Sequence, residues 1–215
     1  CLFDQPAFKH ATVNGLILAA DGKKMSKSLK NFTPPDELLE THGADALRLY
    51  LIQSNLVRAE EQRFCDNGVK EMSRRVLIPW FNAYKFFSTY ATIDNWQPSD
   101  HTKGTFDHIL DQWILSRLQS LLDHINQHMQ NYNLHGIVSG CCDFLDDLTN
   151  TYIRLNRKRF WEEGLSEDKK SAYRCLYTVL VELSKTMAPF TPFMSENLYQ
   201  KIKASFQDPN CNLLS

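Results

Sequence analysis

No run in this sequence approaches the ~18 consecutive apolar residues of a membrane-crossing helix, which excludes a helical membrane span and gives no reason to expect a membrane partner. Neither sign of charge dominates. Lys and Arg number 24 against 25 Asp and Glu, a net charge of −1, so a uniformly basic coat for nucleic acid is excluded while local basic patches are not. Glycine and proline are sparse, eight of each in 215 residues, and act as punctuation; no internal repeat or low-complexity tract is visible. Six cysteines occur, Cys1, Cys65, Cys141, Cys142, Cys175 and Cys211, but none forms a CxxC pair. The adjacent Cys141 and Cys142 suit neither an easy disulfide nor a tetrahedral zinc site, so no metal site is expected. Reduced and mostly buried thiols imply a reducing compartment, most simply the cytoplasm. What is present is an ordinary folded composition, 43% hydrophobic and 12% aromatic, enough for a core of one or two domains. The chain opens on Cys1-Leu2-Phe3-Asp4 rather than Met, and is expected to be a piece of a longer one.

Ala11 to Ala20 carries β-formers around Asn14-Gly15, a hairpin signal, and a second turn is expected at Asp21-Gly22. Residues 23 to 31 hold four lysines and no apolar period, an exposed loop. Pro34-Pro35-Asp36 opens a helix that stops at His42-Gly43, and Ala44 to Gln53 reads as the next. Beyond about Asp66 nearly everything is helical, with Pro79 kinking or dividing its element. Asp94 to Gly104 is the clearest linker. Leu110, Trp113, Ile114, Leu118, Leu121, Leu122, Ile125 and Met129 then keep helical spacing. A steady period from Ile137 through Leu148, Tyr152 and Leu155 sets these inward in a helix running to about Trp161 and closed by Gly164. Ser166 caps a helix ending before Pro189, and another starts near Pro192. Four long helices with short connections predict a mainly α chain, a helical bundle preceded by a short β-hairpin and loop, divided into residues 1–62 and 63–215.

Lys24-Met25-Ser26-Lys27-Ser28 is the short motif whose chemistry can be named. Two lysines three apart on a mobile loop, with hydroxyls between them, can close over a polyphosphate. If a nucleophile attacks the α-phosphorus, charge builds on the departing pyrophosphate, and ammonium groups there favour the transition state over the ground state. The plain alternative is a solvated lysine-rich turn or basic tract.

The order KMSKS, helix, Gly43-Ala44-Asp45-Ala46-Leu47-Arg48 is similar to the signature order of the class I aminoacyl-tRNA synthetases. Lys27-Ser28-Leu29-Lys30-Asn31 resembles the isoleucyl members, where valyl and cysteinyl relatives usually read Gly at the position of Lys30. The stretches Pro79-Trp80-Phe81-Asn82-Ala83-Tyr84, Asp111 to Leu118, Tyr152 to Trp161 and Met187 to Phe193 look like the isoleucyl enzymes of the eukaryote-like branch. Thr151 departs from them, since Trp is expected before the Tyr. The resemblance implies the end of a Rossmann-like catalytic domain joined to a helical anticodon-binding domain. It implies ATP-dependent activation of isoleucine and transfer to tRNA(Ile), with Lys24 and Lys27 catalytic and Lys24, Met25, Ser26, Lys27 and Ser28 around ATP. Mg2+ is expected with ATP in the full-length enzyme, and association with other synthetases is a further implied partner. No HIGH-type motif or editing domain lies within these residues, so the piece alone is expected to be inactive. A valyl relative and a non-catalytic helical interaction module are the alternatives.

Arg154, Arg157, Lys158 and Arg159 crowd the end of the second bundle helix, where cations can hold phosphates while a nearby ring stacks an unpaired base. The alternative is a solvated face balanced by Glu162 and Glu163. His124 and His128 are spaced i, i+4 without the carboxylate of a zinc motif and read as ordinary surface histidines. Trp113, Trp161, Phe190 and Phe193 are expected in the core.

Overall fold

Proline and glycine place the first helices of the computed structural model, which describes residues 6–98 and 105–206. Pro35 takes the first position of α1 (Pro35–His42), where its missing N–H costs nothing. Gly43, at φ 79°, ends α1 and starts α2 (Ala44–Gln53). Both helices match the sequence reading. Cys1, Cys211, His101 and residues 99–104 of the expected linker lie outside the described residues.

The hairpin at Asn14-Gly15 does not form. Instead β1 (Ile17–Leu18) pairs in parallel with β2 (Gln62–Arg63), some forty-five residues away. Gly15 serves a close approach rather than a turn: its N–H donates to the Leu56 carbonyl, and a Cβ there would lie 1.7 Å from the Glu60 carbonyl oxygen. The reversal comes at Asp21-Gly22, with Gly22 at φ 80°, and returns Lys24 antiparallel to Leu18 through a single bridge. β2 therefore straddles the boundary expected between residues 62 and 63.

From Asp66 the chain runs as one long helical rod, α3 (Asp66–Met72), a π-helical stretch (Ser73–Leu77) and α4 (Ile78–Ile93). Pro79 explains the break. A proline has no N–H for the turn before it and its ring crowds the carbonyl four residues back. The widened turn, where the Ile78 N–H reaches the Ser73 carbonyl, relieves both. α5 (Ile109–Gln130) follows, then a second rod made of α6 (Ile137–Asp146), a π-helical stretch (Asp147–Ile153) and α7 (Arg154–Trp161). α8 (Glu167–Met187) is capped by the Ser166 hydroxyl accepting from the Lys169 N–H, and α9 (Pro192–Phe206) closes the bundle. One core joins α4 to α9, and a smaller one, Leu38, Ala46, Phe64 and Val69, lies beneath the lysine loop. The described segment of the linker is part of that larger core: Trp96 is buried between the rings of Phe87, Tyr173 and Tyr177.

The second π stretch corrects the sequence reading in a consequential way. Each i→i+5 turn takes in one residue more than an α-turn, so the inward positions slip. After Leu148 and Tyr152 the buried residues are Ile153, Asn156, Arg159 and Phe160, while Leu155 is 61% exposed. Arg159 is thereby carried inside. Its guanidinium forks onto Asp111 of α5 (2.9 and 3.1 Å) and Asp168 of α8 (2.8 and 2.7 Å), and Nη1 also donates to the Asn156 side chain at 3.0 Å. The fully buried Asp111 also accepts from the Tyr152 and Ser171 hydroxyls. Alongside, the Lys169 ammonium pairs with Asp94 at 2.6 Å and donates to the Glu162 carbonyl, and the Tyr173 hydroxyl donates to Asp94. This network, buried at Arg159, Asp111 and Lys169 and half exposed at Asp168, ties the end of α4 to α5, α7 and α8.

Trp161 and Phe193 are also not core residues, at 57% and 68% exposure, whereas Phe190 is buried and Trp113 half-buried. Cys141, Cys142 and Cys175 are buried thiols and Cys65 is exposed, all four free. Burial pushes the Cys141 thiol up to about 12.

Removing the Arg159 head leaves Asp111 charged and unpaired in the interior. Urea unfolding of Arg159→Ala is expected to show a loss of about 3–5 kcal/mol. A loss below about 1 kcal/mol would mean the fork is dispensable.

Candidate lysine loop and nucleic-acid interface

The loop is built on a short frame. The Asn31 side chain reaches back across it, accepting from the Ser26 N–H at 2.9 Å and donating to the Lys24 carbonyl at 3.2 Å. This closes Lys24 to Asn31 into a loop stapled at its base. Lys30 sits at φ 48°, the left-handed region, which is the conformation a glycine adopts without strain. The Ser26 and Ser28 hydroxyls are 2.8 Å apart. Met25 is half-buried against the smaller core, while Lys23, Lys24, Lys27 and Lys30 are exposed. A cleft of about 640 Å3, lined by Ala19, Met25, Lys30, Asn31, Phe64 and Asp66 among others, leaves room beneath the loop for it to move. Thr33 ties the end of the segment to α3 through a 2.6 Å hydrogen bond to Asp66.

Below the loop, α2 is fastened to the far end of the bundle. Asp45, 5% exposed, accepts from the backbone N–H groups of Met194 (2.6 Å) and Phe193 (3.4 Å), the first turn of α9. Arg48 donates to the carbonyls of Pro189 (2.9 Å) and Phe190 (3.2 Å), just past the end of α8. An anion thus meets a helix N-terminus and a cation the carbonyls at a helix C-terminus, each the favourable sign. Met25 and Ala46 belong to one cluster, so the same helix touches the loop on one side and clamps the Pro189–Pro192 corner on the other. Burial pushes the Asp45 carboxyl up, against the backbone N–H bonds and Arg48, which lower it.

The basic face is narrower than the sequence suggested. Arg154, Arg157 and Lys158 are exposed on α7, and among the described residues none of them makes an ion pair. Arg159 leaves this set, because all of its N–H groups are engaged by the buried Asp111, the half-exposed Asp168 and Asn156. Trp161 joins it. The histidines prove structural: half-buried, with rings 4.2 Å apart, His124 and His128 meet the Gly136 and Asn133 carbonyls and pin the α5–α6 connection. Asn31, Asp45 and Arg48 lie in the motifs that carry the family resemblance, but their structural roles, a loop staple and a helix clamp, were not read from the sequence, and Trp161 was expected in the core.

Residues 1–63 match the model "tRNA synthetases class I (I, L, M and V)", and residues 111–214 match "Anticodon-binding domain of tRNA ligase". The isoleucine--tRNA ligase of Bdellovibrio bacteriovorus is 50% identical over 207 residues, 96% of this chain and 20% of that protein. That of Chlamydia muridarum is 47% identical over 212 residues, 99% of this chain and 20% of that protein. The chain belongs to the class I tRNA synthetases. It is homologous over nearly all its length to isoleucine--tRNA ligases and spans about a fifth of the length of these curated relatives. Both are bacterial and do not confirm the eukaryote-like branch. A methionyl-tRNA synthetase of Mycobacterium tuberculosis in complex with methionyl-adenylate superposes with a TM-score of 0.66 at 18% identity, covering 85% of this synthetase chain and 36% of that one. A ternary LeuRS-tRNA-LeuAMS complex of Agrobacterium radiobacter K84 gives 0.62 at 18% identity, covering 93% and 22%. At that identity the agreement is one of fold. The helical fold after the lysine loop is therefore that of class I synthetases, and the lysine loop and the Gly43–Arg48 clamp both lie within or beside the matched segments.

The raised Asp45 carboxyl gives a pH dependence with a definite sign. A pKa higher in the folded chain than in the unfolded one means that the folded chain binds the proton more tightly, so stability falls as pH rises through the window above the unfolded value of about 4. Relative to Asp45→Asn, which does not titrate, the wild-type chain is expected to lose unfolding free energy between pH 4 and 7. A wild-type advantage that grows over that range would contradict the assignment.

Proposed function

We propose that this chain supplies the ATP-phosphate loop and the anticodon-binding bundle of an isoleucine--tRNA ligase, which activates isoleucine with ATP and transfers it to tRNA(Ile). One observation carries the reading: Asp45 and Arg48, in the second helix after the lysine loop, hold the α8–α9 corner, so loop and bundle form one connected body. Isoleucine, ATP and tRNA(Ile) are the partners of the full-length enzyme in this reading.

Lys24 and Lys27 would meet the triphosphate. The isoleucine carboxylate attacks the α-phosphorus, the bond to the bridging oxygen breaks, and the charge moves onto pyrophosphate. Ammonium groups placed there act most strongly where that charge develops, which lowers the barrier without a proton transfer. Met25, seated in the smaller core, gives the loop a footing, and the Ser26–Ser28 pair shapes its tip. Mg2+ accompanying the triphosphate supplies further charge neutralisation when bound; among the described residues no group of three or more His, Cys, Asp or Glu side chains could hold a metal, so it would be carried by the nucleotide or by other parts of the enzyme. Residence in the cytoplasm rests on the free buried thiols, and association with other synthetases on the family resemblance alone.

In the full-length enzyme, Lys27→Ala is expected to slow adenylate formation by about 100-fold or more, the usual effect of deleting one transition-state donor. Isoleucine affinity is expected to stay within about twofold, since the ammonium favours the transition state rather than the bound amino acid. Near-normal isoleucine-dependent pyrophosphate exchange in that variant would remove the mechanism.

A further inference from the structure

Trp161 is the one exposed tryptophan among the described residues: Trp80 and Trp96 are fully buried and Trp113 is half-buried. A large ring 57% exposed at a helix end is usually mobile, yet this one is held. Its Nε1–H donates to the Tyr90 hydroxyl at 2.7 Å. Tyr90 in turn packs at 4.9 Å against Phe86 with the rings tilted by 55°, and Phe86 meets Phe160 edge-on at 5.2 Å, so the tyrosine is anchored against the core. The indole edge therefore spends its only donor on the protein, and the ring is presented to solvent in a fixed attitude.

The surroundings give that ring a charge context. At about 100° per residue, Arg154, Arg157, Lys158 and Trp161 share an arc of roughly 100° on α7, opposite the inward Arg159 and Asn156. Three unpaired cations around one tethered aromatic face match a nucleic-acid strand whose bases are unstacked: the cations suit the phosphates, and the ring suits a base plane. A duplex, whose bases are already stacked, offers the cations a partner but the ring none.

We infer that Trp161, positioned by Tyr90, is a stacking platform for an unpaired base of the RNA bound on the α7 basic face. This rests on the tRNA-binding reading above and deepens it by assigning a residue to base contact and three to phosphate contact.

The test uses an RNA hairpin with an unpaired loop and the same stem closed as a blunt duplex, titrated into the chain at several salt concentrations. Trp161→Leu is expected to weaken hairpin binding about 5- to 150-fold with an unchanged salt slope. It is expected to leave duplex binding unaltered, while Trp161→Phe keeps most of the affinity. Arg154→Ala and Arg157→Ala are each expected to reduce the slope of log K against log salt by about one. In the wild-type chain, hairpin but not duplex is expected to shield the exposed indole from acrylamide quenching, a readout that needs no variant. Tyr90→Phe, which keeps the ring and deletes the acceptor, is expected to give an intermediate loss. If Trp161→Leu binds hairpin like wild type, or the hairpin leaves quenching unchanged, while the arginine variants still flatten the slope, the platform is overturned and the RNA face stands. If the arginine variants also leave affinity and slope unchanged, the RNA face itself is overturned.

Discussion

The Arg159 guanidinium, forked between Asp111 and Asp168, is the constraint on which the rest of the bundle depends. Taking the Arg159 and Asp111 charges out of water costs several kcal/mol per ion, and only dense, well-aligned partners offset it. Here they are dense: each carboxylate is met in bidentate fashion, and Asp111 takes a tyrosine and a serine hydroxyl besides. Such an arrangement contributes little to stability over a greasy core of equal volume, but it tolerates only one phase of α7 against α5 and α8. That phase decides which residues face out. Arg154, Arg157, Lys158 and Trp161 are presented to solvent because Arg159 is not.

A second, more peripheral clamp sets where that surface sits relative to the lysine loop. Asp45 and Arg48 meet the start of α9 and the residues after α8 with complementary charge, and the neighbouring Ala46 packs in the cluster that seats Met25. The loop has an anchored base, through Asn31, and an exposed, lysine-bearing tip. Rigidity below and freedom above is the combination that a flap closing over phosphates needs. The chain thus links the lysine loop to the far end of the bundle through α2, with α3 as a second tie at Thr33 and Asp66.

Much of this was legible in the residues. Pro35, Gly43, Ser166 and Pro192 mark helix ends by local chemistry, and the structure has the helices there. The lysine motif was legible as a loop. The hairpin was not, because the partner of Ile17 and Leu18 lies at Gln62 and Arg63 and no local signal reports a parallel pairing at that distance. Arg159 and Leu155 were exchanged, inside for outside, because a π stretch leaves no mark in hydrophobic periodicity except the slip it causes. Trp96 was hidden in polar surroundings, and its burial is fixed by rings from α4 and α8. The histidine pair looked like surface decoration because its acceptors are backbone carbonyls, which every residue has.

The orientation of α7 is the claim from which the others follow, and arginine-selective covalent labelling read by mass spectrometry tests it directly. In the folded chain Arg154 and Arg157 should label readily and become protected when tRNA is added, while Arg159 stays unreactive with or without tRNA until the chain is unfolded. Labelling of Arg159 in the native chain at the rate of Arg157 would contradict the buried fork, and with it the arrangement of the outward face.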